Sequence, residues 1–165
     1  MQVRVAVFVV IILGSPSDKD FGQQIVRALE GLDIPPEMRM ASAHKVPRHH
    51  LDLLEKYEAD PRAKVYITVA GRSNALSGLV DAQVTAPVIA CPPYSDRFAG
   101  GDVLSSLRVP SGVAPAVVLE PEGAALLAAK MLGLTDDNLR ARIRAAQADQ
   151  QQRLVQADAA LQGTV

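Results

Sequence analysis

The sequence has no tryptophan, few aromatic residues and a single cysteine, Cys91. Because aromatic residues make up 4% of the chain and hydrophobic residues 48%, aliphatic side chains must fill the core. A lone cysteine excludes an internal disulfide and predicts a reducing, cytoplasmic setting. Cys91 ends an apolar run, so we interpret it as a small buried hydrophobic residue and not as a nucleophile.

The chain also lacks an excess of charge of either sign. Its formal net charge of −1 gives no bulk attraction to nucleic acids or membranes, and we predict no partner of either kind. The apolar run at residues 5–13 is too short to span a bilayer. Its β-branched residues are typical of a strand buried on both faces, not of a signal peptide.

Strand-like and helix-like segments alternate along the chain, and no linker or repeat divides them, so we predict one domain over residues 1–165. The predicted strands are residues 3–13, 37–43, 64–71, 86–93 and 113–121, and the predicted helices are residues 15–32, 47–60, 72–84, 103–109, 122–134 and 135–162. This alternation predicts an α/β fold with a parallel sheet and right-handed crossovers.

The helix ends carry their own predictions. Ser17 and Asp20 have the spacing of a capping box for the first helix, and Thr135 is the expected N-cap of the last. The last helix has a thin apolar stripe and is too long to lie fully on one small domain. We expect residues 135–165 to project and pack on a neighbouring subunit, with a solvated helix as the alternative.

Ligands of open α/β sheets bind beyond the carboxyl ends of the strands, which selects three loops rich in hydroxyl, cationic and amide groups. The candidates after the first three strands are Gly14, Ser15, Ser17 and Asp18; Ser42, Ala43, His44 and Lys45; and Gly71, Arg72, Ser73 and Asn74. The first loop opens a helix and suits an anion, while Asp18 suits ribose hydroxyls. The first loop has neither a Walker A motif nor a dinucleotide fingerprint. The alternative to an anion site is that these residues only cap the start of the helix.

All three histidines fall within residues 44–50. Their spacing does not fit a helical metal site, and Lys45 and Arg48 would repel a cation, so we predict no metal. His49 and His50 are expected on the surface of the second helix. His44 lies on the predicted ligand edge, where an imidazole suits acid-base catalysis near neutral pH, although a histidine bonded within the loop remains an alternative.

The third loop offers a different set of groups. Arg72 can grip a carboxylate or phosphate through two hydrogen bonds. Ser73 and Asn74 offer neutral donors for a developing carboxylate, and the alternative is that they only cap the next helix.

Several separated segments, in order, resemble the phosphoribosylaminoimidazole carboxylase family of purine biosynthesis. They are "GSPSD", "SAHKVP", "AGRSNALSG", "PVIACPP", "DVLSSLRVPSG" and "LEPEGAALLAAKMLGL", spanning about residues 5–134. The resemblance implies a flavodoxin-like three-layer sandwich, a carboxy-lyase without cofactors, and a homo-oligomer, expected to be an octamer. It also implies that the partners are aminoimidazole ribonucleotide and carbon dioxide.

The sequence resembles the branch that uses carbon dioxide directly, because it has "AGRSN" and "HK" and no histidine after residue 50. By this resemblance Ser15, Ser17 and Asp18 bind the ribose phosphate side, and Ser42, Ala43 and His44 face the imidazole. Gly71, Arg72, Ser73 and Asn74 form the carbon dioxide pocket, with Ser73 in direct contact. His44 is the expected catalytic base, and Lys45 contacts phosphate or carboxylate. The alternatives are the family's mutase branch, which moves a carboxyl group from N5 of the nucleotide, and a non-catalytic sensor of a phosphorylated ligand.

Overall fold

A computed structural model of the chain, which describes residues 6–162, contains a five-stranded parallel sheet. The strands are β1 (Val7–Leu13), β2 (Pro36–Met40), β3 (Ala63–Val69), β4 (Val88–Ala90) and β5 (Ala116–Val117), in the spatial order β2-β1-β3-β4-β5. This order is that of flavodoxin-like folds and confirms the predicted fold class. β1 lies between β2 and β3, so the chain changes direction across the sheet at β1 and β3.

Within residues 6–162, six α-helices connect or follow the strands. They are α1 (Lys19–Glu30), α2 (Pro47–Glu58), α3 (Ala75–Asp81), α4 (Leu104–Leu107), α5 (Pro121–Leu132) and α6 (Asp137–Gln162), with 3₁₀ turns at Pro16–Asp18 and Arg97–Val103. The third helix starts at Ala75, later than the predicted residue 72. The short helix expected before Pro110 is confirmed as α4.

Alternation along β1 creates two cores, one on each face of the sheet. Val9, Ile11 and Leu13 pack with α1, α5 and the start of α6. Phe8, Val10 and Ile12 pack with α2 and α3 on the other face. The result is the predicted three-layer sandwich, with a central strand buried on both sides.

The last two strands are shorter than the predicted segments 86–93 and 113–121. Proline cannot donate to the ladder, and Pro87, Pro92 and Pro93 flank β4 while Pro115 precedes β5. The longest strands are therefore β1 and β3. Two of the three predicted ligand loops follow their carboxyl ends.

Two predicted helix caps are wrong. Instead of a Ser17–Asp20 box, the Ser15 hydroxyl accepts a bond from the Ser17 N–H at 3.4 Å and opens the 3₁₀ turn before α1. At α6 the carboxylate of Asp136 accepts from the Leu139 N–H at 3.0 Å, while the Thr135 hydroxyl donates back to the Leu132 carbonyl. Each helix thus begins after a tight turn that the residue spacing alone did not indicate.

The final helix is buried only near its start. Leu139 and Ile143 are buried against the core, and Arg142 donates to the Leu32 carbonyl at 2.9 Å. Every residue from 148 to 162 is exposed, including Leu154 and Leu161. Packing on a neighbouring subunit stays a prediction. Over residues 6–162, α6 included, no helix combines the length and apolar character needed to cross a membrane.

Candidate active site

The carboxyl ends of β1, β2 and β3 open onto one cavity of about 470 Å³. It lies at the β1/β3 switch point, where α/β sheets of this order bind their ligands. Its walls are Gly14, Ser15, Ser17, Asp18, Ser42, Ala43, His44, Lys45, Ala70, Gly71, Arg72, Ser73 and Leu76. Every predicted site residue except Asn74 is in this set, so the structure brings the three loops together.

The loop after β1 forms the first wall. The hydroxyls of Ser15 and Ser17 lie 2.9 Å apart, and the Asp18 N–H donates to the Ser15 carbonyl at 3.0 Å. Burial raises the pKa of Asp18, while hydrogen bonds from the Ser15 backbone and the Ser17 hydroxyl, and the charge of Arg72, act in the opposite direction. This wall therefore combines two neighbouring hydroxyls with a carboxylate that faces an arginine from another loop.

The loop after β2 supplies the imidazole. Ser42 accepts from the Lys45 N–H through its hydroxyl at 3.3 Å and from the Val46 N–H through its carbonyl at 3.1 Å. These bonds make a compact turn that ends where α2 begins at Pro47. His44 and Lys45 are exposed at the tip of this turn and line the cavity, so both can reach a bound molecule.

His50 was predicted to lie on the surface, and this is wrong: it is fully buried. It shares a face of α2 with Leu53, Leu54 and Tyr57, a spacing of 3, 4 and 7 residues that marks the core side of a helix. That periodicity was the signal for its burial. His49, one residue earlier, is exposed as predicted.

The buried His50 ring holds the start of the β2–α2 loop. Its Nδ1 lies 3.1 Å from the Ala41 carbonyl oxygen, so Nδ1 carries the proton and donates it. Nε2 is buried and has no hydrogen-bond partner within residues 6–162. Burial is the main cause that lowers the pKa of His50, and the Ala41 bond partly offsets it.

The loop after β3 forms the third wall and lies close to the first. The Gly14 N–H donates to the Val69 carbonyl at 2.9 Å, and a Cβ on Gly14 would lie 3.2 Å from the Ala70 Cβ. A side chain at residue 14 would therefore press the two walls apart. Arg72 has a φ of 59°, in the left-handed region that non-glycine residues seldom occupy.

Asn74 is not part of the cavity wall. Its side-chain oxygen accepts from the Ser77 N–H at 3.2 Å and caps α3, and its Nδ2 donates to the Ser106 hydroxyl at 2.8 Å. The side chain is buried, with both polar atoms engaged. The capping alternative is thus confirmed for Asn74, whereas Ser73 is exposed and lines the cavity.

Two cavity residues were not among the predicted site residues. Ala70 follows β3, and Leu76 sits in the first turn of α3; both are apolar and buried. Leu76 lies two residues after Asn74 on the helix that follows the ligand loop, so its position in the first turn was the available signal. Together with Ala43 they give one side of the cavity an apolar lining.

The donor groups around the cavity determine which kind of ligand it can hold. Within the described part of the chain, no three histidine, cysteine, aspartate or glutamate side chains converge on one point. The cations of the cavity are its own side chains, Lys45 and Arg72. The cavity therefore offers anion-binding and proton-transferring groups.

The family model of AIR carboxylase matches residues 8–153, which include all three walls of the cavity. The chain belongs to the AIR carboxylase family. Among curated AIR carboxylase relatives, phosphoribosylaminoimidazole carboxylase of Archaeoglobus fulgidus is 49% identical over 90% of this chain and 82% of its own length. That of Treponema denticola is 46% identical over 93% of this chain and 96% of its own length.

The AIR carboxylase assignment also holds at the level of structure. The crystal structure of Treponema denticola PurE matches with a TM-score of 0.92 and 46% identity, covering 94% of this chain and 98% of that chain. The human bifunctional phosphoribosylaminoimidazole carboxylase/succinocarboxamide synthetase is 41% identical over 83% of this chain, which corresponds to 32% of its own length. The predicted family is thereby confirmed.

Proposed function

We propose that the protein is a phosphoribosylaminoimidazole carboxylase of de novo purine biosynthesis. It reversibly carboxylates C4 of 5-aminoimidazole ribonucleotide with carbon dioxide and gives 4-carboxyaminoimidazole ribonucleotide. The observation that carries the proposal is a cavity shared by His44, Ser73 and the Ser15–Ser17 hydroxyls in a chain of the AIR carboxylase family. The cavity thus offers a base, a neutral donor and a polar anion cradle to one ligand.

The nucleotide is oriented by the first two walls. Ser15 and Ser17, at the entrance to α1, hold the phosphate side with hydroxyl and backbone donors, and Asp18 accepts from the ribose hydroxyls. Ser42 and Ala43 then face the imidazole ring beside His44. Lys45 and Arg72 supply positive charge for the two anionic groups of the product, the phosphate and the new carboxylate.

Carbon dioxide occupies the third wall, at Ser73. It is small and apolar, so it binds weakly and must be held against C4 by the shape of the site. Gly71 leaves open space at its Cα, and Ala70 and Leu76 supply apolar surface beside it. Orienting two reactants in this way lowers the barrier by several kcal/mol, with about 7–11 kcal/mol as the upper range for ideal geometry.

The bond-forming step needs no external electron source. The exocyclic amine of the ring pushes electron density onto C4, which attacks the carbon of carbon dioxide. The electron pair of one C=O bond moves to oxygen, and Arg72 and Ser73 stabilise the resulting carboxylate. The neutral imidazole of His44 then takes the proton from C4 and restores the aromatic ring.

An assay of the purified protein tests the reaction. Given aminoimidazole ribonucleotide and bicarbonate in equilibrium with carbon dioxide, it should form the C4 carboxylate without ATP, detected by absorbance. The control reaction contains N5-carboxyaminoimidazole ribonucleotide instead. Turnover of the N5-carboxylated nucleotide alone would assign the protein to the mutase branch. Nucleotide binding without turnover of either substrate would make it a sensor.

Direct use of carbon dioxide is favoured over the mutase reaction by the third loop. Arg72 and Ser73 line the cavity there, and curated relatives with 46–49% identity carry the name phosphoribosylaminoimidazole carboxylase. A sensor is disfavoured by His44, because a molecule that only binds has no use for a base at that position.

Assembly and location belong to the same proposal. The exposed stretch of α6 from residue 148 onward, with Leu154, Val155 and Leu161 on its surface, supports packing between subunits in a homo-octamer. Light scattering of the purified protein tests the subunit number. A cytoplasmic location is supported by the single, buried cysteine, and fractionation of cells tests it.

A further inference from the structure

The Arg72–Asn74 loop has no regular secondary structure and contains a left-handed, non-glycine residue at its first position. Such a conformation is unfavourable for arginine, so it persists only where surrounding contacts hold it. The contacts that hold it come from α4, about thirty residues later in the chain.

Ser105 contacts the loop on both sides of Ser73. Its hydroxyl oxygen accepts from the Asn74 N–H at 3.0 Å and donates to the Arg72 carbonyl at 2.8 Å. The same hydroxyl lies 2.8 Å from the Asp102 carbonyl, so its one proton is shared between two acceptors. The hydroxyl therefore bridges the peptide groups before and after Ser73.

Ser106 adds a second contact from the same helix. Its hydroxyl accepts from Asn74 Nδ2 at 2.8 Å, and both side chains are buried, with Asn74 5% and Ser106 3% exposed. Asn74 in turn caps α3 at Ser77. The two serines of α4 thus fix one end of the loop to the cap of the next helix.

Neither serine lines the cavity, whereas Arg72 and Ser73 do. We propose that Ser105, supported by Ser106, is a positioning residue for the carboxylation step: it sets the backbone of Arg72 and the direction of the Ser73 side chain. This inference rests on the proposed function, because it assigns the third wall to carbon dioxide. It makes α4 a part of the catalytic apparatus that touches neither reactant.

The test compares Ser105→Ala with Ser105→Thr, which keeps the hydroxyl, and with Ser111→Ala, the same exchange at an exposed serine outside the contacts described. Ser105→Ala should lower kcat/KM for carbon dioxide by about tenfold to hundredfold, because the Ser73 side chain is displaced. The two walls that orient the nucleotide are not changed. The Kd for aminoimidazole ribonucleotide should change less than about twofold. Ser105→Thr should recover most of the loss, and Ser111→Ala should match wild type.

Amide hydrogen exchange provides a readout that does not depend on turnover. The Asn74 amide, which donates to Ser105, should exchange faster in Ser105→Ala and at the wild-type rate in Ser111→Ala. Unchanged exchange at Asn74 together with unchanged kcat/KM would overturn the proposal. So would a fall in Tm accompanied by equal losses in turnover and nucleotide binding, since that pattern marks a general loss of folding.

The two proposals fail separately. If wild-type protein does not carboxylate aminoimidazole ribonucleotide, the proposed function is wrong, and the Asn74 exchange comparison still decides whether Ser105 holds the loop. If wild type is active and Ser105→Ala is equally active with equal exchange, only the positioning role is lost.

Discussion

Two of the three loops that line the cavity are held in different ways. The Ser42–Val46 loop is closed by bonds within ten residues of chain: Ser42 accepts from the Lys45 and Val46 amides, and His50 donates to the Ala41 carbonyl. The Arg72–Asn74 loop is held across 31 to 33 residues by Ser105 and Ser106. The loop that presents His44, the proposed base, is therefore locally encoded, whereas the loop proposed to hold carbon dioxide depends on tertiary contacts.

Because of this difference, the two loops should respond differently to substitutions. A locally closed loop forms whenever the adjoining strand and helix form, since its contacts cost little loop-closure entropy. A loop held from α4 also depends on the connection that contains the 3₁₀ turn Arg97–Val103 and three successive residues with positive φ. Substitutions within each loop, or at residues that bond to it, can show whether the two loops differ in this way.

The largest effect is expected at the residue that the local loop presents. His44→Asn removes the proposed base and should lower kcat by about 10²–10⁴-fold, while nucleotide binding is retained because the first wall is intact. Steady-state kinetics and a binding titration measure the two quantities. His49→Asn, an exposed imidazole on the adjoining helix, is the matched control. Near-normal turnover of His44→Asn would remove the acid-base role.

The next effect concerns the distant contacts. Asn74→Ala removes the cap of α3 and leaves the buried Ser106 hydroxyl without its donor, so the free energy of unfolding should fall by about 2 kcal/mol. Urea denaturation followed by circular dichroism measures it. Asn74→Asp retains the capping oxygen and should lose less. If Asn74→Ala lost no more stability than the same substitution at an exposed asparagine such as Asn138, the dependence of this loop on tertiary contacts would be contradicted.

The pH dependence of stability tests the anchor of the local loop. Burial lowers the pKa of His50, so protonation favours the unfolded chain. Histidines of the unfolded chain have a pKa of about 6.5. The stabilising contribution of neutral His50 is present above that pH and is lost as the pH falls through it. We expect the free energy of unfolding to decline with falling pH in wild type and to decline less in His50→Gln. An identical slope in both proteins would show that His50 does not titrate on unfolding.

The smallest effect is expected within the local loop itself. Ser42→Ala removes an acceptor whose bond to the Lys45 amide is long, 3.3 Å, and exposed, so the free energy of unfolding should change by less than about 1 kcal/mol. The same denaturation experiment measures it beside Asn74→Ala. If Ser42→Ala cost as much stability as Asn74→Ala, the contrast between the loops would not hold.

The sequence predicted the overall arrangement of the fold and of the cavity better than the contacts that hold it. The alternation of strands and helices, the ligand edge and the grouping of all cavity loops were predictable, because parallel strands bring successive loops to one edge. Leu76 and Ala70 were missed, since apolar residues beside a site look like ordinary core. The burial of His50 was missed although its helical spacing from Leu53 and Leu54 indicated it.

The bonds from Ser105 and Ser106 to the Arg72–Asn74 loop could not be predicted from local patterns. Nothing within several residues of "SSLRVP" indicates that its serines bond to a loop thirty residues earlier. Likewise, the caps at Ser15 and Asp136 replaced those expected at Ser17 and Thr135 because a 3₁₀ turn and a tight turn shifted each helix start. Such shifts depend on backbone geometry, which residue spacing does not specify.

Cys91 gives the molecule an internal reporter. It follows β4, its N–H donates to the Thr68 carbonyl at 2.8 Å, and its thiol is fully buried. Burial, followed by the nearby charges of Glu120 and Glu122, raises its pKa to about 12, so the reactive thiolate is absent at neutral pH. An alkylating reagent can modify this sulfur only when the packing around it opens. The rate of labelling therefore reports how often the core around Cys91 opens, and the measurement needs no introduced cysteine.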